Sequence, residues 1–191
     1  MLQYITKEND EYSIAEQVQM AIEGGCRWIQ FSPGDMDDGQ IRETAAEIVP
    51  LCLENEVFMT IENRADMARE LGLHGVHITD KSISAPAMRD QLGAEAIIGV
   101  EVTTPQAVLA MQGADIDYAT VSVDLDDAQA ADLIAAANGA GNRMPLVMHA
   151  NSVERAKGAV AMGANGIAAD TAVLSAPDPV DAIARLLTVK D

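Results

Sequence analysis

The sequence predicts an α/β fold, a compact (β/α)8 TIM barrel with short loops after its strands. Extended apolar or β-branched segments alternate with amphipathic helical segments, the pattern of a parallel sheet covered by helices. A glycine also ends an apolar helical segment shortly before a buried strand at four places, Gly24, Gly72, Gly113 and Gly163. Such a glycine can take the left-handed conformation that closes a helix. Because each interval between these glycines holds about two strand–helix units, the chain contains about eight, the number in a closed barrel.

Eight strands are predicted from short apolar runs that recur at regular spacing. They lie near residues 2–6, 28–31, 57–61, 75–78, 96–100, 118–123, 146–149 and 166–169. A doubly wound open sheet is the alternative arrangement, but eight parallel units at this spacing favour closure.

Eight helices are predicted between and after these strands, near residues 14–23, 40–54, 65–71, 85–91, 105–111, 127–137, 153–162 and 180–187. Capping residues precede several of them. The candidate caps are Ser13, Ser152 and Asp178, whose side chains can accept hydrogen bonds from the first helical turn. Thr104 precedes Pro105, a residue favoured at the first helical position.

Length and composition predict one domain over residues 1–191. The chain is 49% hydrophobic, which is enough for a sizeable core. Barrels of this type usually need about 250 residues and rarely fewer than about 200, so the loops at the mouth must be short.

Charge and cysteine content restrict the partners and the compartment. The net charge of −18 argues against nucleic acid or an anionic membrane as a partner. No segment approaches the roughly 18 apolar residues of a membrane span, and the first residues read as a strand and not as a signal peptide. Cys26 and Cys52 lie in apolar segments without CxxC spacing, which predicts buried thiols in the cytoplasm. A small-molecule ligand is the expected partner, and the sequence leaves a homo-oligomer open.

Several segments, in order along the chain, resemble the thiamine phosphate synthase and TenI family. The most specific is Gly-x-His-Gly-Val-His at residues 72–77, followed about twenty residues later by Ile-Ile-Gly-Val at residues 97–100. Residues 24–30, 61–68 and 162–168 carry the rest of the resemblance. It implies a (β/α)8 barrel that binds phosphorylated thiazole and pyrimidine precursors of thiamine at its mouth. The synthase of that family joins hydroxymethylpyrimidine diphosphate to thiazole phosphate with the help of basic residues and Mg²⁺.

The first half of the chain departs from the family at positions that the resemblance assigns to this chemistry. Gln30 agrees with the family pattern, but the basic positions after strand two are Ser32 and Gly34. The Asn-Asp pair after strand three reads Glu62-Asn63, with Arg64 retained. We expect Arg64 to pair with Glu62 or to hold an anion. After strand four the last metal-binding aspartate is replaced by Ser82, so the resemblance does not support Mg²⁺ at that position.

The second half of the chain departs further from the family pattern. After strand five, Glu101 begins the segment that reads Ser-Thr-His in the family, and after strand six a loop with a lysine is replaced by residues 122–127. TenI-type thiazole tautomerases have a catalytic histidine in that loop, where this chain has Val123. The phosphate-binding Gly-Gly after strand seven reads Ala150-Asn151. After strand eight comes Asp170, which opposes anion binding unless its side chain turns away.

These positions provide the candidate site residues. The catalytic candidates are Glu62, Asn63, Arg64, Glu101, Asp124 and His149. The ligand- or phosphate-binding candidates are Gln30, Ala150, Asn151, Asp170 and Thr171, and the candidate magnesium ligands are Glu62 and Asp80. For His149 a structural hydrogen bond is the alternative role, and His77 is expected to be packed inside strand four.

Acidic residues follow most of the strands, and strand ends converge on one face of a barrel. The set comprises Asp35, Glu62, Asp80, Glu101, Asp124 and Asp170. They predict either a mouth that binds a metal ion or a cationic ligand, with His149 and His77 as nitrogen donors, or ordinary solvent-facing carboxylates. Two function classes follow: an enzyme of thiamine precursor chemistry with synthase or tautomerase-like activity, or a non-catalytic or repurposed barrel with an acidic mouth.

Overall fold

The computed structural model describes residues 1–111 and 114–190, and within them eight parallel strands form a closed barrel. Each strand pairs with the next along the chain, and the last strand pairs with the first. The strands are β1 (Leu2–Ile5), β2 (Trp28–Phe31), β3 (Phe58–Glu62), β4 (Gly75–Ile78), β5 (Ile97–Val102), β6 (Tyr118–Val121), β7 (Leu146–His149) and β8 (Gly166–Ala169). The predicted (β/α)8 barrel is therefore confirmed.

Within the described residues, eight α-helices surround the barrel. They are α1 (Ile14–Glu23), α2 (Asp38–Glu54), α3 (Ala65–Glu70), α4 (Ala85–Leu92), α5 (Pro105–Met111), α6 (Asp127–Gly139), α7 (Val153–Met162) and α8 (Pro179–Leu187). Short 3₁₀ helices cover Thr171–Ser175, directly after β8, and Thr188–Lys190. None of the helices in residues 1–111 and 114–190 has the length and apolar character needed to cross a membrane.

The element boundaries differ from the predicted ones where local hydrogen bonds decide them. Helix α2 begins two residues early because Asp37 forms a capping box with Gln40. Strand β6 ends at Val121 instead of residue 123 because the chain turns there, with the Leu125 N–H donating to the Ser122 carbonyl. The predicted caps Ser13, Ser152 and Asp178 all accept hydrogen bonds from the first turns of their helices.

The glycine hinges take the left-handed conformation at only some of the predicted positions. Gly72 and Gly163 have φ of 66° and 99°, as predicted. At the first hinge Gly24 has a right-handed φ of −69°, and Gly25 is the residue with a positive φ of 92°. Gly24 is required for another reason, because a Cβ there would lie 2.7 Å from Cγ2 of Ile183 in α8. The hinge at Gly113 lies outside the described residues.

The main hydrophobic core lies between the barrel and its helices, and Cys26 and Cys52 are buried there as free thiols. A second, smaller cluster fills the barrel interior: Ile5, Trp28, Tyr118, Val147 and Ala168. Tyr118 fits there because strand β5 has a glycine beside it, Gly99, where a Cβ would come within 2.1 Å of the tyrosine ring.

Polar groups lie beside this interior cluster in a layer that we call the inner layer: Gln3, Gln30, His77, Thr120 and the hydroxyl of Tyr118. Gln3 Nε2 donates to Gln30 Oε1 at 3.0 Å and to the Tyr118 hydroxyl at 3.1 Å. His77 Nδ1 lies 3.0 Å from the Tyr118 hydroxyl, and Nε2 lies 3.0 Å from Thr120 Oγ1. The inner layer is a buried, hydrogen-bonded floor beneath the mouth of the barrel, and His77 is packed within it as predicted.

Candidate functional site

The carboxyl ends of the strands carry inward-facing side chains that we call the mouth layer. Side chains alternate along a strand, so the residue two positions beyond an inward one also faces the barrel axis. By this alternation, the residues that face the axis at the mouth are Ser32, Glu62, Thr79, Glu101, Ser122, His149 and Asp170. In barrels of this type the functional site lies at this end. The candidate Gln30 lies one level lower, in the inner layer, and is buried.

Glu62 is held by two neutral hydroxyl groups of the mouth layer. Thr79 Oγ1 donates to Glu62 Oε1 at 2.7 Å, and Ser32 Oγ donates to Oε2. The side chain of Asn63 fixes the neighbouring loop: its Nδ2 donates to Thr79 Oγ1, and its Oδ1 accepts from the Thr79 and Asp80 N–H groups. Asn63 has a left-handed φ of 57°. Its contacts therefore position Glu62 and Thr79 at the mouth.

Arg64 does not pair with Glu62, so that part of the prediction was wrong. Its guanidinium instead donates to Asp66 at 2.7 and 3.0 Å and to Asp38 at 2.8 Å. The hydrogen bonds to Asp66 and Asp38 raise the pKa of Arg64 above its ordinary value. Because α2 and α3 supply these carboxylates, Arg64 joins two helices at the rim.

The residues present do not fit a magnesium site at Glu62 and Asp80. The described hydrogen bonds of the Glu62 carboxylate come from Ser32 and Thr79, and none of them joins it to Asp80. Asp80 is exposed and accepts from the Ser82 N–H at 2.8 Å, which lowers the pKa of its carboxyl. Within the part of the chain that the structure describes, no three His, Cys, Asp or Glu side chains form a group that can hold a metal ion.

Glu101 is the mouth carboxylate with the least favourable surroundings for its charge. Burial raises its pKa, and the nearby carboxylates of Asp124 and Glu62 raise it further, while hydrogen bonding to Ser122 and the charge of Lys81 oppose the shift. Asp124 is exposed, and its N–H lies 3.3 Å from Ser122 Oγ. A half-buried carboxyl with a raised pKa suits proton transfer better than the binding of an anion.

Asp170 lies at the end of β8 and accepts three hydrogen bonds. Lys7 Nζ donates to Oδ2 at 2.7 Å, while Asn151 Nδ2 and the Ala172 N–H donate to Oδ1 at 3.0 and 2.9 Å. The Asp170 N–H in turn donates to Asn151 Oδ1 at 2.8 Å. Burial alone would raise the pKa of Asp170, but the hydrogen bonds from Lys7 and Ala172 outweigh it, and the pKa lies below its ordinary value. The carboxylate is ionised and firmly held.

Two other phosphate-binding candidates, Ala150 and Thr171, are engaged in the regular structure of the barrel end. The Ala150 N–H donates to the Ala168 carbonyl at 2.8 Å and is part of the barrel hydrogen bonding. Thr171 begins the 3₁₀ helix that Asp170 caps. The loops after β7 and β8 therefore hold an internal carboxylate at the place where many barrels bind phosphate.

His149 lies in the mouth layer beside this cluster. Its Nδ1 is buried and has no hydrogen-bond partner in the described chain, so the alternative of a structural hydrogen bond at that atom is not realised. Burial lowers the pKa of His149, although the charge of Asp170 acts in the opposite direction. The imidazole is therefore neutral at pH 7, as a proton acceptor must be.

The six predicted acidic residues do not form one ring. Glu62, Glu101 and Asp170 belong to the mouth layer, and the others are exposed at the rim: Asp35, Asp80 and Asp124. Sequence reasoning missed Lys7, the cation nearest Asp170. The strand alternation contained the signal, since Lys7 lies two residues after Ile5 and four after Gln3, both of which face the interior.

A second concavity lies at the opposite end of the barrel. It has a volume of about 610 Å³ and is lined mainly by apolar side chains, including Trp28, Phe58 and Val147. The mouth, with its convergent titratable groups, is the better candidate for a functional site.

Comparison with known proteins agrees with the residue pattern. A family model described as thiamine monophosphate synthase matches residues 2–173. The chain belongs to the thiamine monophosphate synthase family. The thiamine-phosphate synthase of Bacteroides fragilis is 31% identical over 201 residues that cover 98% of each chain. That of Natronomonas pharaonis is 30% identical over 184 residues, covering 91% of this chain and 86% of the relative.

Among solved structures, the thiamine phosphate pyrophosphorylase of Pyrococcus furiosus superposes with a TM-score of 0.84. It is 20% identical in sequence, and the match covers 98% of this chain and 94% of the other. At this identity the likeness confirms the barrel fold. The family resemblance is likewise confirmed, and this member combines the family barrel with a mouth layer rich in carboxylates and hydroxyls.

Proposed function

We propose that this family member binds a small-molecule precursor of thiamine at its mouth, in the cytoplasm, without carrying out the synthase reaction. The observation that supports this is the state of the basic side chains at the strand ends. Ion pairs with aspartates hold three of them, Lys7, Arg64 and Arg155. The positive charge of the exposed Lys81 favours the ionised form of Glu101. A reaction that releases pyrophosphate needs cations directed at the leaving group.

The carboxylates of the mouth layer oppose a diphosphate directly. A carboxylate within about 4 Å of a phosphate costs on the order of 1 kcal/mol in water and several times more at lower effective dielectric. Glu62, Glu101 and Asp170 would all contribute to this repulsion. Because the residues present do not fit Mg²⁺ either, the proposed chemistry has no step that passes through a metal.

The chemistry best suited to these residues is proton transfer on a bound precursor, as in a tautomerase. Burial raises the pKa of Glu101, so its carboxyl can donate or accept a proton nearer neutral pH. The neutral His149 supplies a second proton acceptor across the mouth. Glu62, positioned by Ser32 and Thr79, can accept a hydrogen bond from the ligand and orient it.

The test is a direct assay of thiamine phosphate formation. The purified protein is incubated with hydroxymethylpyrimidine diphosphate, thiazole phosphate and Mg²⁺, with the B. fragilis relative as the positive control. We expect no product above the enzyme-free blank, while the individual precursors or their dephosphorylated forms raise the melting temperature. Robust product formation would refute the proposal.

A second candidate function is a repurposed barrel that binds a cationic ligand. The closeness of Glu101 to Asp124 and Glu62 favours it, since these carboxylates raise one another's energy and a cation would relieve the repulsion. The described donor sets favour an organic cation over a metal ion. Stabilisation by organic amines but by none of the precursors, phosphorylated or not, would favour this candidate over the first.

A further inference from the structure

The cluster around Asp170 joins three segments that are distant in sequence. Asp170 ends β8, Lys7 follows β1 and Asn151 follows β7, and the hydrogen bonds among them measure 2.7 to 3.0 Å. The fourth member of the cluster is Ala172 of the 3₁₀ helix, whose N–H also donates to Asp170. An ammonium group, a side-chain amide and a helix-terminal N–H are the donors from which protein phosphate sites are built.

Here these donors converge on the protein's own carboxylate. The Asp170 side chain is 13% exposed, and Lys7 remains 49% exposed although its ammonium is engaged. Both Asp170 oxygens accept hydrogen bonds. An incoming phosphate would have to take these donors from a buried anion and then lie beside it, which Coulomb repulsion opposes.

We infer that Asp170 acts as a built-in anion that excludes phosphate and selects a ligand with a neutral or cationic group at this part of the mouth. A hydroxyl or amine of the ligand can donate to the Asp170 carboxylate, which the dianion of a phosphate monoester, its main form at pH 7, cannot do. The inference deepens the proposed function, on which it rests. It specifies the ligand class as a dephosphorylated thiamine precursor, the alcohol in place of its phosphate.

The experiment measures binding of inorganic phosphate by calorimetry at constant ionic strength. Asp170→Ser removes the charge but keeps a small capping residue, and leaves Lys7, Asn151 and the Ala172 N–H without their acceptor. We expect at least about tenfold tighter phosphate binding in this variant than in the unmodified protein. Adding Lys7→Met should abolish the gain. Asp170→Asn, which keeps the shape and a capping oxygen, is the second variant in case the serine variant unfolds, and it should show a smaller gain.

Asp178→Ser is the matched control. Asp178 also caps a helix, accepting from the Asp181 N–H at 3.0 Å, but it has no lysine partner among the described contacts. Equal phosphate affinity in the unmodified protein and both Asp170 variants would overturn the inference, as would an equal gain in Asp178→Ser. The thiamine phosphate assay tests the proposed function separately. Product formation in that assay would contradict the proposed function, whereas unchanged phosphate affinity in the Asp170 variants would contradict only the inference about Asp170.

Discussion

The carboxylates on the two sides of the mouth are stabilised by different kinds of donor. Asp170 accepts from a lysine, an amide and a backbone N–H, so the protein compensates its charge. Glu62 accepts from two neutral hydroxyls, and Glu101 is close to further carboxylates. The Asp170 side of the mouth is thus compensated by direct contacts with a cation and N–H donors, and we call it the compensated side. On the Glu62 and Glu101 side, which we call the uncompensated side, Ser122 and the exposed Lys81 offset the negative charge only in part. A ligand gains most by placing hydrogen-bond donors or positive charge on the Glu62 and Glu101 side.

We expect the largest effect on stability from removing the Asp170 carboxylate, on the compensated side of the mouth. Asp170→Ala removes an ion pair, a helix cap and an amide hydrogen bond together, and leaves the Asn151 amide and the Ala172 N–H without an acceptor. We expect a loss of about 2 to 3 kcal/mol in the free energy of unfolding, measured by urea denaturation at pH 7. Asp178→Ala, which loses only a helix cap, should cost about 1 kcal/mol. Equal losses in the two variants would mean that Lys7 and Asn151 contribute nothing.

The same residue should contribute a distinct pH dependence. The folded-state pKa of Asp170 lies below its ordinary value, so its stabilisation is present above about pH 4, the unfolded value, and is lost as the pH falls through the folded value. In Asp170→Asn this acid-dependent loss should disappear. Urea midpoints measured between pH 7 and pH 2.5 for both proteins test this, and parallel profiles would contradict it.

Much of this architecture was predictable, because it depends on local patterns. Strand alternation and helix caps such as Ser13 and Asp178 are properties of a few adjacent residues, so the barrel and most element boundaries could be predicted from sequence. The pairing of Lys7 with Asp170 spans 163 positions and exists because β8 closes on β1. Only the closed barrel brings those two residues together.

The orientation of helices was the other feature that the sequence did not provide. Arg64 follows directly after Glu62-Asn63, and pairing with Glu62 was a reasonable hypothesis. Its actual partner in α2, Asp38, depends on how that helix packs beside α3. His149 illustrates a further limit, because whether its Nδ1 finds a partner depends on side chains from several strands.

A smaller effect of opposite sign is expected on the uncompensated side. The folded-state pKa of Glu101 is raised, so ionisation of this group costs stability, and the penalty appears as the pH rises from about 4 through the folded value. Glu101→Gln should therefore stabilise the protein at pH 7, by up to about 1 kcal/mol, and leave it unchanged at pH 3.5. Urea denaturation at both pH values gives the measurement. Destabilisation at pH 7 would show that Ser122 and Lys81 outweigh burial and the neighbouring carboxylates at Glu101.

The smallest effect is expected at Arg64, and it tests whether the rim takes part in ligand binding. Its ion pairs with Asp38 and Asp66 are partly exposed, and pairs of this kind contribute about 0 to 1 kcal/mol. Arg64→Ala should change the urea midpoint within that range and leave the melting shift produced by a dephosphorylated precursor unaltered. Asp38→Ala, which releases part of the guanidinium, is the matched control. If Arg64→Ala instead abolished the precursor-induced shift, the guanidinium would have to leave its aspartates to meet the ligand, and the rim would supply a cation in addition to the exposed Lys81. In that case the division between a compensated and an uncompensated side would no longer describe the site.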